Sequence, residues 1–182
     1  MKNLFNLFLE TAKVVIVALL IVLPIRYFLF QPFIVRGASM EPNFEESDYL
    51  IVDQLSYRFR NPERGEVIVF HYPENPQKRF IKRIIGLPKE EVTIEDGHLF
   101  ITSVDGGKKM IEENYLPDEV KMKEKDILLG EDEYFVMGDN RNVSFDSRNW
   151  GPLEESYIIG KVFFQVSLFD VFAKVEVPKY NN

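Results

Sequence analysis

Two patterns of hydrophobic and polar positions divide the chain. From Val14 to Ile25 twelve consecutive residues carry no charge and are almost wholly apolar, and after Arg26 the run resumes as Tyr27-Phe28-Leu29-Phe30. Read as one helix from about Thr11 to Phe30, this is roughly the twenty residues that a bilayer core requires. The twelve-residue run alone would suit a buried core helix. The extension to Phe30 and the Leu/Phe-rich lead-in from Leu4 to Leu9 favour a membrane span. Arg26 and Tyr27 suit the interface at one end, and Pro24 can kink a spanning helix without forbidding it. No small-x-small cleavage site follows the run, so the expectation is an uncleaved anchor. Lys2 and Lys13 on one side nearly balance Arg26 and Arg36 on the other, so charge does not set the orientation.

Beyond the anchor the period changes from helix to strand. Short runs rich in Val, Ile, Phe and Tyr recur at Tyr49–Val52, Glu66–Tyr72, Phe80–Ile85, Glu91–Ile94, His98–Thr102, Tyr134–Met137 and Ile158–Val166, bounded by Gly, Pro, Asn and Asp. Asp96-Gly97 between two of them predicts a tight hairpin turn, whose central positions both need positive φ. Residues 103–133 are more charged and less regular, and read as an exposed excursion from the sheet. The expected organisation is an anchor over residues 1–30 and a β-rich domain over residues 31–182.

Composition sharpens this division. The chain has 182 residues, a net charge of -7, no cysteine and two histidines. Residues 1–30 hold three bases and one acid, a net of +2, which leaves nineteen bases against twenty-eight acids, or -9, beyond them. The acidic balance disfavours nucleic acid as a partner, since phosphate binding runs on clustered Lys and Arg. Without thiols there is no disulfide framework, cysteine nucleophile or thiolate metal site, and two histidines leave few routes to zinc.

Candidate chemistry is therefore narrow. Ser39 lies in Gly37-Ala38-Ser39-Met40-Glu41-Pro42, a loop of small residues that suits either an ordinary turn or an exposed hydroxyl close to a substrate. A serine needs a base. His71 and His98 are both explained as solvated strand ends, with no acid placed beside them. Lys82 is the alternative, provided burial keeps its amine neutral. In Phe80-Ile81-Lys82-Arg83-Ile84 the strand period puts Lys82 on one face with Phe80 and Ile84, and Arg83 on the other. On alternation alone a desolvated base and an edge-strand lysine that deters aggregation fit equally well.

Three segments in order carry a resemblance. Ser-Met-x-Pro at 39–42, Phe-Ile-Lys-Arg with Ile85-Gly86-Leu87-Pro88, and Gly138-Asp139-Asn140-Arg141-Asn142-Val143-Ser144-Phe145-Asp146-Ser147-Arg148 together resemble bacterial type I signal peptidases, in the compact form of Gram-positive members. Arg64-Gly65-Glu66-Val67-Ile68-Val69-Phe70 resembles a further box of that family. The resemblance implies a mainly β fold, an N-terminal transmembrane helix followed by an antiparallel β-sheet catalytic domain in two β-rich regions around a cleft, with residues 103–133 in the non-catalytic one. It implies a serine endopeptidase of the cell membrane, catalytic domain on the extracytoplasmic face, that removes signal peptides from secretory preproteins after small residues, with no cofactor and no metal. By the same resemblance Ser39 is the nucleophile and Lys82 the general base. Ser144 orients that lysine, Asp146 and Arg148 form a supporting salt bridge, and Asp139 and Arg141 are scaffolding. Phe33, Val35, Met40, Phe44, Phe80 and Ile81 would line the substrate pockets.

Two positions depart from the family pattern. Gly37 stands where Gram-negative members carry a serine that donates into the oxyanion hole, so a backbone N–H, most simply that of Ser39, is expected to serve. Val143 stands where asparagine is frequent, and is expected to affect local packing. An inactive membrane-anchored paralogue and a self-cleaving Ser-Lys repressor are the competing classes; the first would lack the dyad, and the second needs an N-terminal DNA-binding domain that residues 1–35 do not supply. Ser39 follows Phe30 by nine residues, so it lies no more than about 30 Å from the end of the expected span.

Overall fold

The computed structural model describes the chain except residues 1, 29, 117–121, 168–172, 176, 179 and 181–182, and describes no side chains for residues 2–5, 21, 23–28, 30, 173 and 174. The first helix, α1, covers Lys2–Phe28. Among the described residues no helix is long and apolar enough to cross a membrane. Most of the second half of the expected span falls on residues whose side chains are not described.

Among the described residues twelve strands follow: β1 Phe30–Ile34, β2 Tyr49–Asp53, β3 Val67–Tyr72, β4 Asn75–Gly86, β5 Glu91–Glu95, β6 His98–Thr102, β7 Lys108–Met110, β8 Lys125–Leu128, β9 Glu133–Met137, β10 Leu153–Glu154, β11 Ile158–Val166 and β12 Ala173–Lys174. A short helix, α2, covers Ser147–Trp150. The larger sheet runs β1-β2-β11-β3-β4-β9-β10 with β12 also on β11, and the smaller runs β7-β6-β5-β8. All the pairings are antiparallel.

Alternation builds the smaller sheet directly. Val92 and Ile94 of β5 and Leu99 and Ile101 of β6 point inward, and Asp96 and Gly97 turn the chain between them at φ +50° and +76°. These residues pack with Ile85, Phe135 and Met137, so the smaller sheet rests on β4 and β9 of the larger one. Strand β3 is buried on both faces: Val67 and Val69 join a cluster with Leu50, Val52 and Val162, while Ile68 and Phe70 join one with Ile84, Tyr134 and Val136. The excursion expected over residues 103–133 is corrected in part, because β7 and β8 inside it form the two outer strands of the smaller sheet.

Two features position the site. Strand β4 reaches back to Asn75, well before the apolar run that predicted it, and pairs with β9 only from Arg83 onward. Strand β1 ends the larger sheet, where Pro32, which has no N–H, is tolerated opposite Ile51. A cleft opens between these two strands.

Candidate active site

Residues 35–48 form the loop that joins β1 to β2, closed at its base by Val35 N–H to Asp48 O at 2.9 Å and Ser47 N–H to Val35 O at 3.0 Å. Met40 and Phe44, 0% and 2% exposed, plunge from this loop into the core between β1, β2 and β3. They fix the residue beside them: Ser39 stays partly exposed while its neighbours are locked in packing. The expectation that Met40 and Phe44 line a substrate pocket is therefore corrected. Both are core residues, and neither borders the cleft.

Lys82 lies on β4 opposite Ile68, at 3% exposure. Its Nζ is 2.7 Å from Ser39 Oγ and 2.8 Å from the carbonyl oxygen of Ile81. Burial pushes the Lys82 amine down to about 8. The carboxylates of Asp146 and Asp139 pull it back up, and Arg148 adds to the depression. A lysine whose neutral form is well populated near pH 8, within hydrogen-bond reach of a hydroxyl, can act as a base toward it.

The turn from Gly138 to Arg148 closes the site from the other side. Asn140 N–H donates to Ser39 O at 3.0 Å, which ties the turn to the loop. Gly138 has no side chain because none fits: a Cβ there would collide with Ser144 Oγ and with the backbone carbonyl of Ser39. Asp146 accepts from Gly138 N–H at 3.0 Å and from Arg148 Nε and Nη2 at 2.8 and 2.9 Å, so the two form the salt bridge that the resemblance implies. Burial alone would raise the Asp146 carboxyl, but Arg148 and the Gly138 N–H hold it below its ordinary value. Ser144 departs from expectation. Its Oγ is buried and helps hold the Asp146 carboxyl down, and the bonds from Lys82 go to Ser39 and Ile81 instead.

The cleft beside Ser39 encloses about 860 Å³. Phe33, Val35, Phe80 and Ile81 line it as expected, joined by Leu50, Val69 and Phe145, which the pattern alone had not singled out. Val143 is also corrected, since it is 64% exposed at the rim rather than packed. Gly37, at φ +82°, opens the turn that carries Ser39, and the Ser39 amide donates no hydrogen bond among the described residues. His71 and His98 are not part of this site. His71 Nδ1 lies 2.6 Å from Pro76 O, and His98 is exposed on the smaller sheet.

One pair behind the site was missed by sequence reasoning. Arg83 Nε and Nη2 donate to Asp139 Oδ1 and Oδ2 at 2.9 and 2.6 Å, Nη1 donates to Gly65 O at 2.9 Å, and both side chains are buried. The signal was present, because strand alternation sends Arg83 to the face opposite Lys82 and a guanidinium cannot shed its proton there. Asn43 Nδ2 also donates to Asp139 at 2.9 Å. Asp139→Ala, which leaves this guanidinium buried and unpaired, is expected to cost about 3–5 kcal/mol of stability, and the double replacement Arg83→Met/Asp139→Leu distinctly less, as read by thermal or chemical denaturation.

Residues 8–167 match the family described as signal peptidase, peptidase S26. The chain is 36% identical over 163 residues to the probable signal peptidase I-2 of Synechocystis, covering 87% of this chain and 72% of that protein. It is 36% identical over 177 residues to signal peptidase I T of Bacillus subtilis, covering 90% and 89%. The crystal structure of a signal peptidase I from Enterococcus faecalis aligns with 57% of this chain and 97% of that one, at 31% identity and a TM-score of 0.49. With the match spanning the loop of Ser39, the strand of Lys82 and the turn of Gly138–Arg148, this chain belongs to the peptidase S26 family of signal peptidases.

Proposed function

We propose that this chain is a membrane-anchored serine endopeptidase that removes signal peptides from exported preproteins, with Ser39 as nucleophile and Lys82 as general base. The observation that carries this reading is the 2.7 Å approach of a buried, pKa-depressed lysine amine to a partly exposed serine hydroxyl at the head of a cleft. Serine needs a base to attack a carbonyl, and no histidine stands near it.

The steps follow from these positions. Ser39 Oγ bonds to the scissile carbonyl carbon as its proton passes to Lys82 Nζ, and the oxyanion is met by the Ser39 N–H. When the tetrahedral species collapses, the C–N bond breaks and the lysine ammonium returns the proton to the leaving amine. Water then attacks the acyl-enzyme, giving its proton to Lys82, and the C–Oγ bond breaks with reprotonation of Ser39. Asp146 and Arg148 hold the turn against which Lys82 is desolvated.

The cleft geometry supports an extended substrate. Strand β1 has a free edge, and β4 is unpaired toward the cleft before Arg83, so a peptide can lie between them as an added strand. Phe33, Val35, Phe80 and Ile81 crowd the space beside Ser39 and favour small side chains just before the scissile bond and two places earlier. The apolar run from Val14 to Phe30 supplies the anchor, and the domain over residues 31–182 works on the extracytoplasmic face of the cell membrane, where the substrate's own apolar segment sits in the lipid bilayer.

Preprotein cleavage in detergent or vesicles tests this reading. Ser39→Ala and Lys82→Ala are each expected to lose at least ~10³-fold in rate, and Lys82→Arg to be equally inactive, because a guanidinium holds its proton. Full activity in any of them contradicts the mechanism. Acid protonates the base, so kcat/KM is expected to fall as pH drops through about 8; a flat profile down to about pH 5 is the contrary result.

A second measurement addresses the short tether. Strand β1 begins at Phe30, two residues past the end of α1. A long flexible insert between Phe28 and Phe30 leaves both elements whole, and is expected to impair cleavage of membrane-embedded preprotein while sparing a soluble peptide. Equal processing of the embedded preprotein would show that distance from the bilayer does not matter.

A further inference from the structure

Behind the catalytic pair, on the side away from the cleft, lies a residue that touches all three chain segments forming the site. Tyr115 belongs to the 103–133 segment, between β7 and β8 of the smaller sheet. Its ring lies under the guanidinium of Arg83, 4.4 Å from Cζ to centroid. Its backbone oxygen accepts from Asn43 Nδ2 at 3.3 Å, and Asn43 lies in the loop that carries Ser39. Its Oη accepts from Arg141 Nη2 at 3.3 Å and donates to Glu113 Oε1 at 2.7 Å. Arg141 in turn pairs with Glu113 and donates from Nε to Gly138 O at 3.0 Å, within the turn that packs on Ser39. One residue thus joins the nucleophile loop through its backbone oxygen, and the base strand and the supporting turn through its side chain.

From this we infer that Tyr115 is a positioning residue for the Ser39–Lys82 pair, so that the segment outside the family's catalytic motifs sets the geometry and the charge environment of the site. The inference rests on the reading of Ser39 and Lys82 as nucleophile and base.

The physical route is short. A charged guanidinium against an aromatic face is stabilised most where water is excluded, and Arg83 is buried. The ring therefore helps hold Arg83 against Asp139, and Asp139 is one of the charged groups that act on Lys82, with Asp146 and Arg148. Around the Lys82 amine the remaining neighbours are Ser39 Oγ, the Ile81 carbonyl and the Phe80 ring, whose centroid is 5.6 Å away. None of these adds a further charge, so Asp139 is the route from Tyr115 to Lys82: Arg83 held by the ring neutralises that carboxylate, and loosening the pair strengthens its upward pull on the amine. Tyr115 does not itself titrate in the working range, because burial and then the Glu113 carboxylate push its phenol far above its ordinary value.

The test is the pH profile of preprotein cleavage for Tyr115→Phe, Tyr115→Leu and Tyr115→Ala, with thermal melting measured in parallel. Loss of the ring in the Leu and Ala variants is expected to move the acid-limb midpoint up by about one pH unit, which lowers the rate at pH 7 about tenfold and restores it at higher pH. Tyr115→Phe keeps the ring over Arg83 and is expected to retain the original midpoint. Leu fills the space and guards against a simple failure to fold. An unchanged midpoint in the folded Leu variant, with only a lower melting temperature, overturns the inference. Ser39→Ala run alongside separates the two readings: cleavage that survives it defeats the proposed mechanism, whereas Ser39-dependent cleavage with a fixed midpoint defeats only the role of Tyr115.

Discussion

A lysine amine kept from water is the constraint around which the site is organised. In water Nζ would hold its proton and could do nothing for a serine hydroxyl; at 3% exposure the cost of keeping the charge falls on the fold, and the amine becomes available as a base. That desolvation has to be achieved without moving Nζ away from Ser39 Oγ. The packing of Met40 and Phe44 holds the nucleophile loop, the Gly138 turn lies against it with no Cβ to push it off, and strand β4 presents Lys82 from a position already committed to the sheet. Each of these is held by packing or by backbone hydrogen bonds, as a site that depends on sub-ångström precision requires.

Strand alternation gives β4 two tasks in consecutive residues. Lys82 faces Ser39 and is given two uncharged oxygens but no carboxylate within hydrogen-bond reach, so its charge is costly. Arg83 faces the opposite side and is given a bidentate carboxylate and a carbonyl, so its charge is held. Two cations of similar length meet opposite electrostatic fates because one can release a proton and the other cannot. Asp139 connects them, since it neutralises Arg83 and still acts on Lys82 from a distance.

Much of this was legible in the sequence. The strands with Val/Ile alternation, such as Glu91–Glu95 and His98–Thr102, and the Asp96-Gly97 turn follow from local preference and period. The strands that were missed lack that signal. Lys108–Met110 is exposed throughout, and exists because its backbone pairs with β6. Phe30–Ile34 carries a proline and adjoins an apolar run that masks its own period. Within the site, the family resemblance implied Ser39, Lys82 and the Asp146–Arg148 pair, but it carried no information on burial: it put Met40 and Phe44 in the pocket wall, and packing makes them core. Tyr115 was invisible for a different reason, as it lies in an irregular segment and acts on Arg83 through a contact between residues distant in sequence.

The ionisation of Lys82 can be observed without any substrate. Titrating protein labelled with ¹³C at the lysine Cε, and assigning the resonance lost in Lys82→Met, reports the amine directly. A desolvated base predicts a midpoint near 8; a midpoint at the ordinary lysine value of 10.5 would contradict it.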